Sequence, residues 1–259
     1  MRTLVYDGSF HGWLNAVFDV YEYKFTDVNI LPQDKAQHTL FGETHQVQTD
    51  PAKAARVWKG LQQRISPRAA PQIVRAFLSE EAGMEDQLLT YARYVFKKNV
   101  RIENDFSHPS VLYVMNTAQK VHREKHRMEA FVRFQQTKDN LYYAVISPDY
   151  NVLPLIKDHF ERRYADQQWM IYDVRRKYGI HYNLEETVPV EMDFAEQLDN
   201  GKNIEPVLDE KEELYKQLWQ QYFQSVNIAA RKNMKLHIRH MPLRYWKYLP
   251  EKQFLARVQ

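Results

Sequence analysis

The spacing of apolar residues changes once along this chain, near Met128, and that change limits the folds open to it. Before Met128 the apolar residues recur at helical intervals. Trp13, Leu14, Val17, Phe18 and Tyr21 share one face of a segment over 9–25, and Val57, Trp58, Leu61 and Ile65 share a face of the next. Ile73, Val74, Phe77 and Leu78 follow. Leu88, Leu89, Ala92, Val95 and Phe96 then mark a helix over 84–98, and Val111, Val114, Met115, Ala118 and Val121 mark another. Start signals precede these stripes: Asp50 as an N-cap before Pro51, then Ser66-Pro67, then Ser107-His108-Pro109. Only residues 3–6 read as a strand in this half, with Asp7-Gly8 as a turn, and the polar stretch 26–50 reads as an irregular connection.

Beyond Met128 the runs are aromatic and β-branched. FVRF (131–134) and LYYAVI (141–146), separated by Thr137, Lys138, Asp139 and Asn140, predict a hairpin. Ser147-Pro148-Asp149 ends it, and Val152, Leu155, Ile156 and Phe160 place a helix over 151–164. Strands over 168–173 and 178–183 flank Arg175-Arg176-Lys177. The order ββαββ predicts an antiparallel sheet with a helix on one side, so the fold class is α+β. Four regions result: a mainly helical 1–127, the ββαββ unit 128–184, an acidic linker 185–213 and a helical basic tail 214–259 that starts with Leu214, Leu218, Trp219 and Tyr222. The four can equally form one compact domain.

Charge is segregated although the net is only +3. Residues 185–213 hold eleven acids and two bases, and 231–259 hold eight Lys or Arg against Glu251 alone. Tyr245, Trp246 and Tyr248 sit among those cations. Cations bind phosphate and aromatic faces stack on unpaired bases, so the tail suggests nucleic acid. Pairing of the two oppositely charged segments with each other is the plainer account.

Other classes are excluded by what is missing. With no cysteine the chain has no disulfide, thiolate zinc site, cysteine nucleophile or cysteine-held iron–sulfur cluster. Seven glycines argue against a Gly-rich nucleotide fold. The opening residues lack the apolar run and small-residue cleavage site of a signal peptide, and no apolar run reaches membrane-spanning length. A cytoplasmic protein with no membrane partner is expected.

Catalytic signals are sparse. His122 and His126 lie four apart with Glu124 between them, a spacing that puts both histidines on one helix face as zinc sites do, but the order is not HExxH and no third ligand stands out. No metal and no cofactor are expected. His159 and Asp173 complete the set of candidate acid–base groups. His108-Pro109-Ser110 also occurs in a uracil-DNA glycosylase motif, yet Ser107 or Asp105 as a cap with Pro109 in the first turn explains the same residues. For nucleic acid, the candidates are Arg175, Arg176 and Lys177 at a loop tip, Arg133 beside Phe131, and Arg239, Arg244, Tyr245, Trp246 and Lys247 in the tail.

Four segments taken together carry a resemblance: HREKHRMEAFVRF (122–134), SPDYNVLPLIKDHFERR (147–163), WMIYDVRRKYGIHY (169–182) and RHMPLRYWKYLPE (239–251). With these, and with YDGSFHGWLNAVF near the start, the chain resembles a bacterial family of DNA metabolism or DNA repair proteins. Its members are typically encoded beside a radical S-adenosylmethionine protein, and a related domain is fused to uracil-DNA glycosylase-like domains. The resemblance implies DNA as a partner and a radical enzyme as a second one, and any radical chemistry would belong to that partner. The expected function is an accessory that presents damaged or single-stranded DNA to the radical enzyme. The alternatives are a DNA-processing enzyme of nuclease or base-excision type, and a protein-interaction scaffold.

Overall fold

The computed structural model describes residues 1–36, 43–98, 101–138, 140–191, 234–250 and 252. It is a mixed α+β protein with a helical N-terminal half, and it divides into two units, Met1–His122 and a second that begins at Arg123.

In the first unit β1 (Arg2–Tyr6), β2 (Val28–Pro32) and β3 (Glu43–Gln46) form a parallel sheet in the order β2-β1-β3. α1 (Phe10–Glu22) crosses from β1 to β2, as parallel neighbours require. The Ser9 hydroxyl caps α1 by accepting from the Gly12 N–H at 2.9 Å. A Cβ on Gly12 would lie 2.1 Å from Asp7 Oδ1, so that carboxylate can hold Ser9 and Thr49 only because residue 12 is glycine. The stretch 26–50 is therefore more than a connection. β2 brings Ile30 opposite Leu4, both wholly buried, while β3 is a polar edge strand (ETHQ) whose side chains give no periodic signal.

α2 (Pro51–Gln62), α3 (Ala70–Phe77) and α4 (Met84–Lys97) follow as the apolar spacing predicts. Asp50 caps α2 by accepting from the amides of Ala52 and Lys53, with Pro51 in the first turn. Trp13, Leu14, Val17, Leu61, Ile73 and Leu88 form the core around the sheet. α5 (Pro109–Phe131) starts at Pro109, and Asp105 accepts from Ser107 and, at 2.5 Å, from the Tyr94 hydroxyl. His108 stacks on Tyr94 at 4.1 Å.

The second unit takes the end of α5 and a five-stranded sheet in the order β4-β5-β6-β7-β8. The strands are β4 (Gln135–Gln136), β5 (Tyr142–Ile146), β6 (Trp169–Asp173), β7 (Tyr178–Tyr182) and β8 (Thr187–Glu191). Three features differ from the sequence reading. The FVRF run does not form the first strand: Phe131 still belongs to α5, held there by Met128 in the core and the Lys125–Glu129 pair, and only Gln135 and Gln136 pair with β5. The sheet is mixed, because α6 (Leu153–Arg163) carries the chain back so that β5 and β6 run parallel. Finally, the segment read as acidic linker from residue 185 supplies β8, antiparallel to β7, with Pro189 opposite Ile180.

α6 buries Leu153, Ile156 and Phe160, and Phe134, Phe160 and Tyr182 surround the fully buried Trp169. In the basic tail a helix (Met234–His240) precedes Pro242, which interrupts it, and a 3-10 turn (Leu243–Tyr248). That turn lies beside β5 and buries Tyr245 and Trp246. The predicted helix with Leu214, Leu218, Trp219 and Tyr222, and most of the acidic segment, lie outside the described residues.

Candidate functional site

A layer of charge in the second unit is built on the tight turn between β6 and β7. Asp173, the last residue of β6, is wholly buried, and its Oδ1 accepts from the amides of Arg175 at 2.9 Å and Arg176 at 3.4 Å. Lys177 closes the turn at φ 57°, donating its N–H to the Asp173 carbonyl. The Arg176 guanidinium folds back on Asp173 Oδ2 at 2.8 Å. It also donates to the carbonyl oxygens of Pro148 at 3.2 Å and Asp149 at 3.1 Å, so the turn grips the loop between β5 and α6. Arg175 reaches the same Asp149 carbonyl at 3.0 Å, and Tyr178 donates to Asn151 at 2.5 Å. Burial raises the Asp173 pKa above the usual carboxylate value, more than Arg176 and the two amides lower it.

Glu124, on α5, supports the other side of that loop. It is 1% exposed, and its Oε1 accepts from the Asp149 N–H at 2.9 Å. Its Oε2 accepts from Arg244 Nη2 at 2.9 Å, with Arg127 at 3.6 Å. Arg244 Nη2 also lies 2.8 Å from Asp149 Oδ2 and donates to the Tyr245 hydroxyl at 2.5 Å. Burial opposes the Arg244 charge, but Glu124, Tyr245 and Asp149 more than offset it and raise the pKa. Burial, and then its hydrogen bond to Glu124, push the Tyr245 hydroxyl well above its usual pKa, so it stays protonated.

The result is three carboxylates (Glu124, Asp149, Asp173) paired with four guanidiniums (Arg127, Arg175, Arg176, Arg244), four positive charges against three negative. Glu124, Asp173 and Arg176 lie inside, whereas the side chains of Arg175, Asp149 and Arg244 are 57%, 47% and 38% exposed. Each arginine lies against Asp149, which is itself half-exposed, and each guanidinium side chain reaches the surface. A guanidinium fixed in this way can donate to a phosphate without first being ordered.

This network gathers Glu124, Asp173, Arg175, Arg176, Arg244 and Tyr245 from the sequence candidates, with Lys177 exposed on the turn. It leaves others apart. Arg133 donates to the carbonyls of Ala130 and Val132 at the end of α5, Arg239 is exposed on the helix Met234–His240, and Lys247 sits 4.8 Å over the Tyr248 ring. Trp246 is buried, donates its indole N–H to the Met241 carbonyl and has Lys252 over its ring. Tyr245 and Trp246 therefore pack as core, and neither offers an open face to a base. His126 and His159 point to Glu129, at 3.0 and 3.7 Å, where Lys125 also binds; His122 is exposed on α5. Among the described residues no three His, Asp or Glu group as metal ligands would.

Asp149, Asn151, Arg127 and Tyr178 are the members that sequence reasoning missed. Ser147-Pro148-Asp149 reads as a strand breaker, and nothing in its spacing shows that two carbonyls, an amide and a carboxylate from this loop each find a partner. One signal was present: the loop lies in one of four segments of family resemblance, and all four meet at this network.

Comparison with known proteins adds little chemistry. No curated protein matches the chain. Among solved structures, the pGpG-specific phosphodiesterase PggH from Vibrio cholrae aligns over 79% of this chain and 98% of that one, at 10% identity and a TM-score of 0.33. A likeness that low supports no inference about fold or activity. Residues 82–251, most of the chain and the whole of the charge network, match a family described as a domain of unknown function, DUF4130, and the chain belongs to that family.

Proposed function

We propose that the protein binds nucleic acid through this arginine layer, as an accessory that holds damaged or single-stranded DNA for a radical S-adenosylmethionine partner. The observation that supports this most is the pair of partly exposed guanidiniums, Arg175 and Arg244, locked on Asp149 beside the exposed Lys177. Preset N–H donors with excess positive charge suit a phosphate backbone. The partner comes from the family resemblance, not from the site. An acid–base enzyme is a poorer fit to the same residues. Glu124 and Asp173 are buried and already bonded to guanidiniums and amides, which leaves neither carboxylate open to a substrate proton.

Fluorescence anisotropy with a labelled 16-nucleotide strand and a 16-base-pair duplex tests the reading. Binding is expected to fall steeply with salt. In Arg175→Gln/Lys177→Gln the affinity for both probes drops, and the slope of log K against log salt flattens by about 0.7 for each single-strand phosphate no longer neutralised. Salt-independent binding, or a variant equal to wild type, would refute it.

A further inference from the structure

The first unit has its own concentration of positive charge. Residues 51–79 carry Lys53, Arg56, Lys59, Arg64, Arg68 and Arg75 and no acid. Lys53, Arg56, Gly60 and Arg64 follow one another by three, four and four residues, so they line one face of α2 and the turn after it. At about 1.5 Å per residue the three cations of that face extend over about 16 Å.

Beside this face runs an open groove of about 300 Å³ between α1, α2 and α4. Its apolar wall is Val17, Phe18, Val57 and Phe96. Gly60 faces the Phe96 ring, and a Cβ there would stand 3.4 Å from it, an ordinary contact. Tyr21, 47% exposed, meets Phe96 edge to face at 5.5 Å and offers the most open ring. Cations bracket the groove: Lys53 lies 5.0 Å and Arg56 5.9 Å from the Phe18 centroid, and Arg64 lies 5.6 Å from that of Phe96. Glu22 is the acid on the lining, on the α1 side, so a polyanion would be steered to the α2 side.

Cation–ring contacts alone are ordinary surface chemistry. The pattern here has two further parts: three cations on one face of a stretch, 51–79, that holds no acid, and an unfilled apolar trough with an exposed ring beside it. Phosphates beside bases match that pair of features. A duplex does not, because pairing hides the base faces.

We propose that the groove and the cationic face of α2 form a single-strand subsite, in which a base stacks on Tyr21 while the phosphates follow Lys53, Arg56 and Arg64. The proposal takes nucleic acid as the ligand from the preceding reading, but its residues are separate from the arginine layer.

The test compares wild type, Tyr21→Ala/Arg56→Gln and Arg175→Gln/Lys177→Gln, each with a fluorescein-labelled dT16 strand and a 16-base-pair duplex. Circular dichroism melts confirm that every variant is folded. The groove variant is expected to bind dT16 at least about fivefold more weakly, the low end for losing one stacked base, with duplex affinity unchanged. A 5-bromodeoxyuridine strand should photocrosslink to the peptide containing Tyr21 in wild type. If the groove variant binds dT16 like wild type while the Arg175/Lys177 variant fails, the subsite is overturned and the arginine layer stands. If only the groove variant fails, the subsite stands and the arginine layer falls. If wild type binds neither probe at low salt, both are wrong.

Discussion

Replacing Arg244 with alanine should destabilise the protein by an amount set by the carboxylate beneath it. Glu124 is 1% exposed, and without Arg244 it keeps the Asp149 N–H, the Tyr245 hydroxyl and a more distant Arg127 at 3.6 Å. Breaking a buried ion pair by removing one member costs about 3–5 kcal/mol. Arg244 is itself 38% exposed, so water screens part of its charge, and Arg127 can move closer; the expected loss is about 2–3 kcal/mol. Urea unfolding followed by tryptophan fluorescence would measure it, and an unchanged m-value would show that both proteins unfold over similar surface. A double-mutant cycle with Glu124→Gln isolates the pair. The single losses should exceed the loss in the double variant when summed, by about 1 kcal/mol or more. An Arg244→Ala loss within about 0.5 kcal/mol of zero, or strict additivity in the cycle, would show that the guanidinium lies free of Glu124 in solution and would refute the network.

Three more outcomes follow from the geometry. Burial pushes the Glu129 carboxyl up, but Lys125, His126 and His159 more than offset this and hold its pKa below 4.5, so Glu129→Gln should cost about 1 kcal/mol at pH 7. A lowered acid stabilises above its unfolded pKa, and the benefit is lost as pH falls through the folded value; wild type and variant should therefore converge in acid unfolding below pH 4.5, and a constant gap would contradict the assignment. Trp246→Ala should lower stability by about 3 kcal/mol in urea unfolding yet leave nucleic-acid affinity unchanged per folded molecule, since its ring is buried; a selective loss of binding would show that the ring is open to ligand. Gly12→Ala should cost about 2 kcal/mol or more in thermal melts, because the new methyl displaces the Asp7 carboxylate from Ser9 and Thr49. A neutral result would mean that the turn readily opens.

Helices with clear stripes and caps were legible: Asp50, Pro51 and the Val57–Leu61 spacing give α2 directly. β3 was not, because an edge strand needs only backbone partners, and ETHQ has no apolar period to reveal it. The end of α5 was misread for a related reason. FVRF has the composition of a strand, but the helix packing of Val121 and Met128 carries through Phe131 and overrides that preference. At the candidate site, sequence identified Arg175, Arg176 and Arg244 as cations but could not show that acids lie beneath them. Asp149 and Glu124 are 25 residues apart, and their meeting depends on how the loop before α6 is folded. The same limit made Tyr245 and Trp246 look like stacking platforms: a dense run of rings and cations reads alike whether its rings face water or the core.

Pro189 has a consequence for solubility. Among the described residues β8 is the outer strand at one end of the five-stranded sheet, and β4 at the other end is only two residues long. A long regular edge would let a second copy of the chain add its own strand and begin a fibre. Proline removes one donor from that row, and Glu191 places a charge beside it, so this edge is a poor template. Pro189→Val would restore the missing N–H in a run of β-formers, and concentrated solutions of that variant should self-associate where the parent chain does not.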